Sequence, residues 1–396
     1  MRGLEGNPLL LKEVVKSQVE GKVGHEGRMR AASDWHARRK PIGCGLTIHP
    51  GIGCPFQCAY CYIYDMGFEA YATPYSLSGD QLTLALLYNR YFVPGPWGTY
   101  LAFGSVTEPL LPNIAGKTLE YMKSVALNLG NPCQVATKIP ASDDLLDRIK
   151  SIRGLRLSIL VTITSLRKYR ALEEKASEPM ERFEFIRRAR RKGFKPFLFW
   201  RPFLPGLPLE EIEEMVCEAK RSGAYGVVVG GLRLSHNIVK RLVGRGMDLR
   251  LLKSIVDLDK LKKGFVDVKI GDKEVEEVRS LVTAKGMIFL RRACCANTAS
   301  QVLEGFEDAI CPSLCFLSKR ACDPSCPSKC YNKALRYPHH VDVESVVSYV
   351  LRTKSFHIEQ QGVTLVVETS KRTCDVKWAS SVLTQVLRRK VVFKLH

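Results

Sequence analysis

Nowhere in this 396-residue chain do apolar residues run unbroken for the roughly 18 positions that a membrane-crossing helix needs. The opening stretch, MRGLEGNPLLLKEVVKSQVEG, holds only a short apolar run broken by charges, so it reads as neither a secretory signal nor an anchor. Internal repeats and low-complexity tracts are missing too, which sets aside solenoid arrays. Acidic residues are scarce: 40 Asp and Glu stand against 60 Lys and Arg, a formal net charge of +20. A surplus of that size favours polyanions, most often nucleic acid, although it is not gathered into a basic tail. With 45% of its residues hydrophobic, the chain can bury a large core. The expectation is a cytoplasmic protein with no membrane contact; the sequence says nothing of its oligomeric state.

Cysteine, by contrast, is plentiful, and its distribution is uneven. Of 14 cysteines, four lie between Cys44 and Cys61 and seven between Cys294 and Cys330, while Cys133, Cys217 and Cys374 stand alone. Isolated cysteines are usually small buried hydrophobes. Clusters in a reducing compartment, where disulfides are unusual, point to metal.

From residue 44 short apolar runs alternate with amphipathic segments. GLTIHPG, TYLAFGSV, CQVATK, LRLSILVTIT, KPFLFWRPFL and YGVVVGGLRL read as six strands. DQLTLALLYNR, KTLEYMKSVALNLG, ASDDLLDRIKSIRG, PMERFEFIRRARRKG and PLEEIEEMVCEAKRSG read as the helices between them. Near-continuous apolar strands joined by helices imply parallel βαβ units with the helices outside. The fold class expected is α/β, a partial (β/α)6 barrel with a Cys-rich segment and a small C-terminal α/β unit. Its parts are an extension at 1–43, the barrel at 44–290, the Cys-rich segment at 291–338 and the small unit at 339–396. Chemistry in such barrels sits at the C-terminal ends of the strands.

The loop after the first strand, GCPFQCAYCYIY, places Cys54, Cys58 and Cys61 as Cys-x3-Cys-x2-Cys. Thiolates suit zinc and iron–sulfur clusters, and three protein ligands leave one coordination position for something else. Under a zinc reading, Cys44 or His49 would supply the fourth ligand.

This loop, with Tyr60 just before the last cysteine, resembles the signature of the radical SAM superfamily. Within it the chain is similar to the spore photoproduct lyase-like group, also called DNA repair photolyases. GSVTEPLLP (104–112), ATKIP (136–140), VTITS (161–165) and RPFLPGL (201–207) carry that similarity in the right order. The resemblance implies a [4Fe–4S] cluster on Cys54, Cys58 and Cys61, the catalytic residues, with S-adenosylmethionine (SAM) on the remaining iron. One electron then cleaves the sulfonium and yields a 5′-deoxyadenosyl radical. By position it places Tyr60 near SAM, Thr107 and Glu108 at its amino group, and Lys138 at its carboxylate. Thr162 and Arg182 fall to the carboxylate or ribose. It also implies an electron donor such as ferredoxin or flavodoxin. Spore photoproduct lyases carry a hydrogen-donating cysteine after strand two. Here Ser105 stands at that position, with an O–H bond too strong for the role, which argues against thymine-dimer repair. Cys133 is the other thiol to consider for it.

The second cluster comprises Cys294, Cys295, Cys311, Cys315, Cys322, Cys326 and Cys330. Two readings stand, an auxiliary iron–sulfur cluster and a structural zinc site. The first four ligands are expected among Cys311 to Cys330, with Cys294 or Cys295 in reserve. Arg187, Arg188, Arg190, Arg191 and Lys192 share one helix, either a solvated face or a phosphate-binding surface. The substrate expected is a nucleic acid. The alternative is a peptide, protein or cofactor matured with the help of the second cluster, and a third, remote reading is an iron–sulfur protein that only binds nucleic acid.

Overall fold

A computed structural model describes residues 6–41, 45–306, 309–311, 314–317, 341–370 and 375–395. Its strands, in chain order, are β1 (Leu46–Ile48), β2 (Gly51–Ile52), β3 (Thr73–Pro74), β4 (Leu101–Phe103), β5 (Pro132–Thr137), β6 (Arg156–Thr162) and β7 (Phe197–Trp200). There follow β8 (Gly226–Val229), β9 (Leu232–Leu234), β10 (Val266–Val268), β11 (Ile288–Leu290), β12 (His357–Gln361), β13 (Thr364–Thr369) and β14 (Lys390–Leu395). Seven of them form one sheet in the order β1-β4-β5-β6-β7-β8-β11, and every pairing in it is parallel.

The helices between the strands start and stop where local chemistry dictates. Ser142 accepts from the Leu145 amide at 3.1 Å and opens the Asp143–Lys150 helix. Glu178 and Glu181 form a reciprocal cap on Pro179–Arg191. Gly223, at φ 85°, ends Leu209–Ser222. In β6, Leu157, Ile159 and Val161 face the helix layer, where they share a cluster with Phe183 and Ile186. The alternate residue Leu160 faces inward, against Phe197 and Val228.

Two features depart from the six-unit expectation. A seventh strand, β11, joins the sheet beside β8, pairing Ile288 with Gly226 and Leu290 with Val228. The run YGVVVGGLRL, expected as one strand, is two. Gly230 and Gly231 divide it, and β9 turns away to pair antiparallel with β10. A Cβ on Gly231 would lie 2.1 Å from the Val268 carbonyl oxygen, so this crossing needs glycine.

The extension preceding the barrel is helical, at Pro8–Lys22, His25–Ser33 and Trp35–Arg38. The C-terminal unit has the expected pattern: helix Val343–Leu351, the hairpin β12–β13, helix Val376–Leu387 and β14 parallel to β13. It docks on the first helix and on the chain just before β4. Asn7 Nδ2 donates to Ser345 Oγ at 3.0 Å, Trp378 Nε1 to Arg90 O at 2.9 Å and Gln385 Nε2 to Thr99 Oγ1 at 2.6 Å. This unit therefore lies toward the N-terminal ends of the strands. No helix among the described residues is long and apolar enough to cross a membrane.

Candidate active site at the mouth of the barrel

The cysteine loop follows β1 and β2 at the C-terminal end of the sheet. It leaves β2 through Gly53 at φ 80°, where a Cβ would lie 2.0 Å from the Tyr71 carbonyl oxygen. Its backbone is held from several directions. Cys54 N donates to Glu69 O at 3.1 Å, Ala59 N to Leu172 O at 2.8 Å and Cys61 N to Cys58 O at 2.9 Å. Tyr64 braces the loop from within, accepting from Gln57 N at 2.8 Å and donating to Cys54 O at 2.9 Å.

A second brace was not visible in the sequence. Arg241, on the helix after β9, donates to Cys61 O at 2.7 Å and Ala59 O at 3.2 Å, and pairs with Asp65 at 2.7 Å. Ser235 Oγ donates to the other oxygen of Asp65. These partners are 170 and 176 residues apart from Asp65, and no local motif announces them.

Burial pushes all three thiols upward, Cys54 to about 11, and the Lys138 ammonium pulls each of them down. Cys58 is buried and Cys54 and Cys61 are half-buried, and three such thiols facing one cation are a donor set that ionises when a positive metal centre occupies it. Lys138 follows β5, and its Nζ lies 5.7 Å from the centroid of the Tyr60 ring. Glu108 is buried. It accepts from Thr137 Oγ1 at 2.7 Å, Lys138 N at 2.8 Å and Leu110 N at 3.2 Å. Burial raises its carboxyl above the usual range against those bonds. Beside it the buried Thr107 hydroxyl has no partner.

Arg182 is committed elsewhere. It is wholly buried, with Nη1 at 2.6 Å from Glu173 and 2.9 Å from Thr162 O, and Nε at 2.7 Å from Ser177 O. Its Nη2 has no partner. The Tyr60 hydroxyl donates to the other oxygen of Glu173. Tyr60, Glu173, Arg182 and the Thr162 carbonyl thus form a buried chain under the cysteine loop, and Glu173 is a residue the sequence reading missed. Tyr60 and Arg182 hold the loop's floor, and Arg182 Nη2 stays without a partner there.

Other expected residues are placed as follows. The Ser105 carbonyl accepts from Tyr62 at 3.0 Å. Cys133, at the start of β5, is fully buried with its Sγ 3.3 Å from Asn131 O, at the far end of the strand from the loop. It is therefore no hydrogen donor to this mouth. The basic helix is a braced surface: Arg188 pairs with Asp143, Lys192 with Asp147, and Arg187 and Arg191 with Glu184. Cys44, Cys322, Cys326 and Cys330 lie outside the described residues, as does the Cys315 side chain.

Around the mouth stand Arg201 after β7 and Arg233 on β9. Both act on Tyr62, whose hydroxyl burial pushes upward while the two guanidinium charges draw it down. Arg233 lies 5.8 Å from the Tyr62 ring centroid and 5.4 Å from that of Phe265, which is 38% exposed. A cavity of about 270 Å³ opens nearby, lined by Phe203, Leu207, Leu232, Ile255, Val268 and Ile270 among others. It shares Leu207, Leu232, Ile255 and Val268 with the apolar cluster around Cys58 and Tyr60.

Residues 48–218 match the model of the radical SAM superfamily. No curated protein matches the chain. Among solved structures, spore photoproduct lyase complexed with dinucleoside spore photoproduct is 18% identical with a TM-score of 0.44, covering 60% of this chain and 72% of that one. Streptococcus suis SuiB bound to precursor peptide SuiA is 14% identical with a TM-score of 0.40, covering 67% and 52%. Residues 48–218, with the three-cysteine loop at the mouth of a parallel partial barrel, are the part of the chain that matches the radical SAM superfamily.

Proposed function

We propose that the chain binds a [4Fe–4S] cluster through Cys54, Cys58 and Cys61, binds SAM beside it, and modifies or repairs a nucleic acid. When bound, the cluster and SAM supply one electron and a 5′-deoxyadenosyl radical. The protein's own part is placement. Lys138 offers a cation for a carboxylate, and Thr107 Oγ1 and Arg182 Nη2 are buried polar atoms that want partners. Glu108 orients the backbone of Lys138 through its carboxylate. Arg241 and Tyr64 keep the loop from opening, and the apolar walls of Phe56, Leu204 and Leu234 exclude water from the reacting face.

The observation that carries the substrate reading is the rim. Arg201 and Arg233 present cations beside Tyr62, and Arg233, paired with Asp267 at 3.1 Å, also lies over Phe265. Guanidinium groups interleaved with aromatic faces suit phosphates joined to bases, and the chain's charge of +20 favours the same partner. A peptide or cofactor substrate is the second reading. The 270 Å³ cavity favours it, because the apolar part of its lining would take an apolar side chain, with Lys269, Glu274 and Glu277 on the same wall set for polar groups. The test is release of 5′-deoxyadenosine by anaerobically reconstituted protein with dithionite and SAM, in the presence of bulk DNA, bulk RNA or neither. Stimulation by one polymer, reduced in Arg233→Ala, supports the nucleic-acid reading. Release indifferent to both polymers moves the assignment to a peptide or cofactor.

A further inference from the structure

At the opposite end of the barrel, the helix Ala293–Leu303 seals the base. Ala293, Ala296 and Ala299 pack against Leu160, Phe197 and Val228 inside the sheet. Asn297 Nδ2 donates to Cys133 O at 2.7 Å and to Arg156 O at 3.2 Å, both at the starts of their strands. The first turn of this helix carries Cys294 and Cys295. Cys311, on the segment that follows, joins them, and the three sulfurs lie within 4.8 Å of one another. Cys294 and Cys295, expected as reserves, are grouped with Cys311 among the described residues.

We propose that Cys294, Cys295 and Cys311 hold a single thiophilic ion of the zinc type, a structural clasp that takes no part in the radical chemistry. The spacing argues for one ion. A tetrahedral centre with metal–sulfur bonds of about 2.3 Å sets its sulfurs roughly 3.8 Å apart. A four-iron cube attaches each thiolate to a different iron and spreads them more widely. Cys54, Cys58 and Cys61 are not gathered as tightly as the trio at the base.

The surroundings suit concentrated negative charge. The thiols sit at the amide end of an 11-residue helix, whose dipole favours thiolates. The fully buried Arg388 places Nη1 3.3 Å from Cys311 O and Nη2 3.4 Å from Gly98 O. Arg388 belongs to the C-terminal unit, so four pieces of chain meet here: the sealing helix, the segment at Cys311, the stretch before β4, and that unit.

Position argues for a clasp. Tyr100, one residue before β4, packs with Cys294 and Cys311 and donates to Gln134 at 2.6 Å. Ser105, just past β4, accepts from Tyr62 in the cysteine loop. Five residues of extended chain separate the two ends by roughly 16 Å. A substrate seated at the mouth has the filled barrel between it and this ion.

The experiment uses the full chain and reads metal content, so it is independent of SAM cleavage and of the proposed substrate. A Cys54→Ala/Cys58→Ala/Cys61→Ala variant is expected to keep about one zinc per chain and no iron. Cys294→Ser/Cys311→Ser is expected to lose the zinc and keep about four irons. Iron and acid-labile sulfide remaining in the triple variant, or no metal at all in it, would overturn the proposal. Should the double variant fail to fold, Cys295→Ser serves, with cobalt(II) loaded in place of zinc. The account expects its sulfur-to-cobalt charge-transfer absorption to fall by about one thiolate's share relative to the unmodified trio. Unchanged absorption would also overturn it.

Discussion

Arg241 Nη2 donates to the carbonyl oxygen of Cys61 at 2.7 Å, across 180 residues of sequence. The same guanidinium is anchored by Asp65, so the last cysteine of the loop is held by a charge-assisted bond from outside its own loop. Replacing Arg241 with Leu removes three donors while keeping the apolar stem. It is expected to cost about 2–3 kcal/mol locally. The check is cluster loss to a chelator, followed at the iron–sulfur absorption, which should run at least several times faster than in the parent protein.

Glu173 and Arg182 form an ion pair at 2.6 Å, and both side chains are fully buried. Glu173→Ala leaves a buried guanidinium without its counter-charge and is expected to destabilise the fold by about 3–5 kcal/mol. Tyr60→Phe removes one hydrogen bond to the same carboxylate and should cost about 1 kcal/mol. Chemical denaturation of the metal-free protein compares them, and the order of the two effects is the prediction.

Lys138 is set beside Tyr60 and the three thiols. Lys138→Met keeps the length of the side chain and removes its charge. The expected outcome is an unchanged iron content with SAM affinity lowered about tenfold or more, the loss of one charge-assisted contact. Equilibrium binding of SAM to the reconstituted variant measures it.

His49, just after β1, is buried among Trp35, His36 and Tyr75. Burial, with a lesser push from His36, lowers its pKa from 6.5 to about 3. The unfolded chain therefore binds a proton at His49 between pH 6.5 and about 3 that the folded chain refuses. Stability from this residue is present above pH 6.5 and is lost as pH falls through that window. The thermal midpoint of the metal-free protein should drop on acidification from pH 7 to 5, and less steeply in His49→Gln.

The barrel was legible because its strands are apolar on both faces and its helices carry their own start and stop signals, as the Glu178 cap and Gly223 show. The seventh strand was not, because Ile288–Leu290 is three residues long and gains its identity from pairing with β8. The cysteine loop was legible as a motif, since its three ligands are close in sequence. The residues that hold it in place reach it from far along the chain, Glu173 from 113 positions beyond Tyr60 and Arg241 from 180 beyond Cys61, and no local motif marks either. Arg182 was read as a SAM contact from its sequence position; its buried pairing with Glu173, which no local motif announces, was not legible. Cys294 and Cys295 were ranked behind Cys311 by spacing alone, and the fold brings all three together.

The most direct test of the central claim is 5′-deoxyadenosine release from the reconstituted chain against Cys58→Ala, with SAM and dithionite under anaerobic conditions. The account predicts release from the parent and none above background from Cys58→Ala, while the metal at Cys294, Cys295 and Cys311 stays in place. Equal release from the two proteins would contradict it, because the loop after β1 would then not be the catalytic centre.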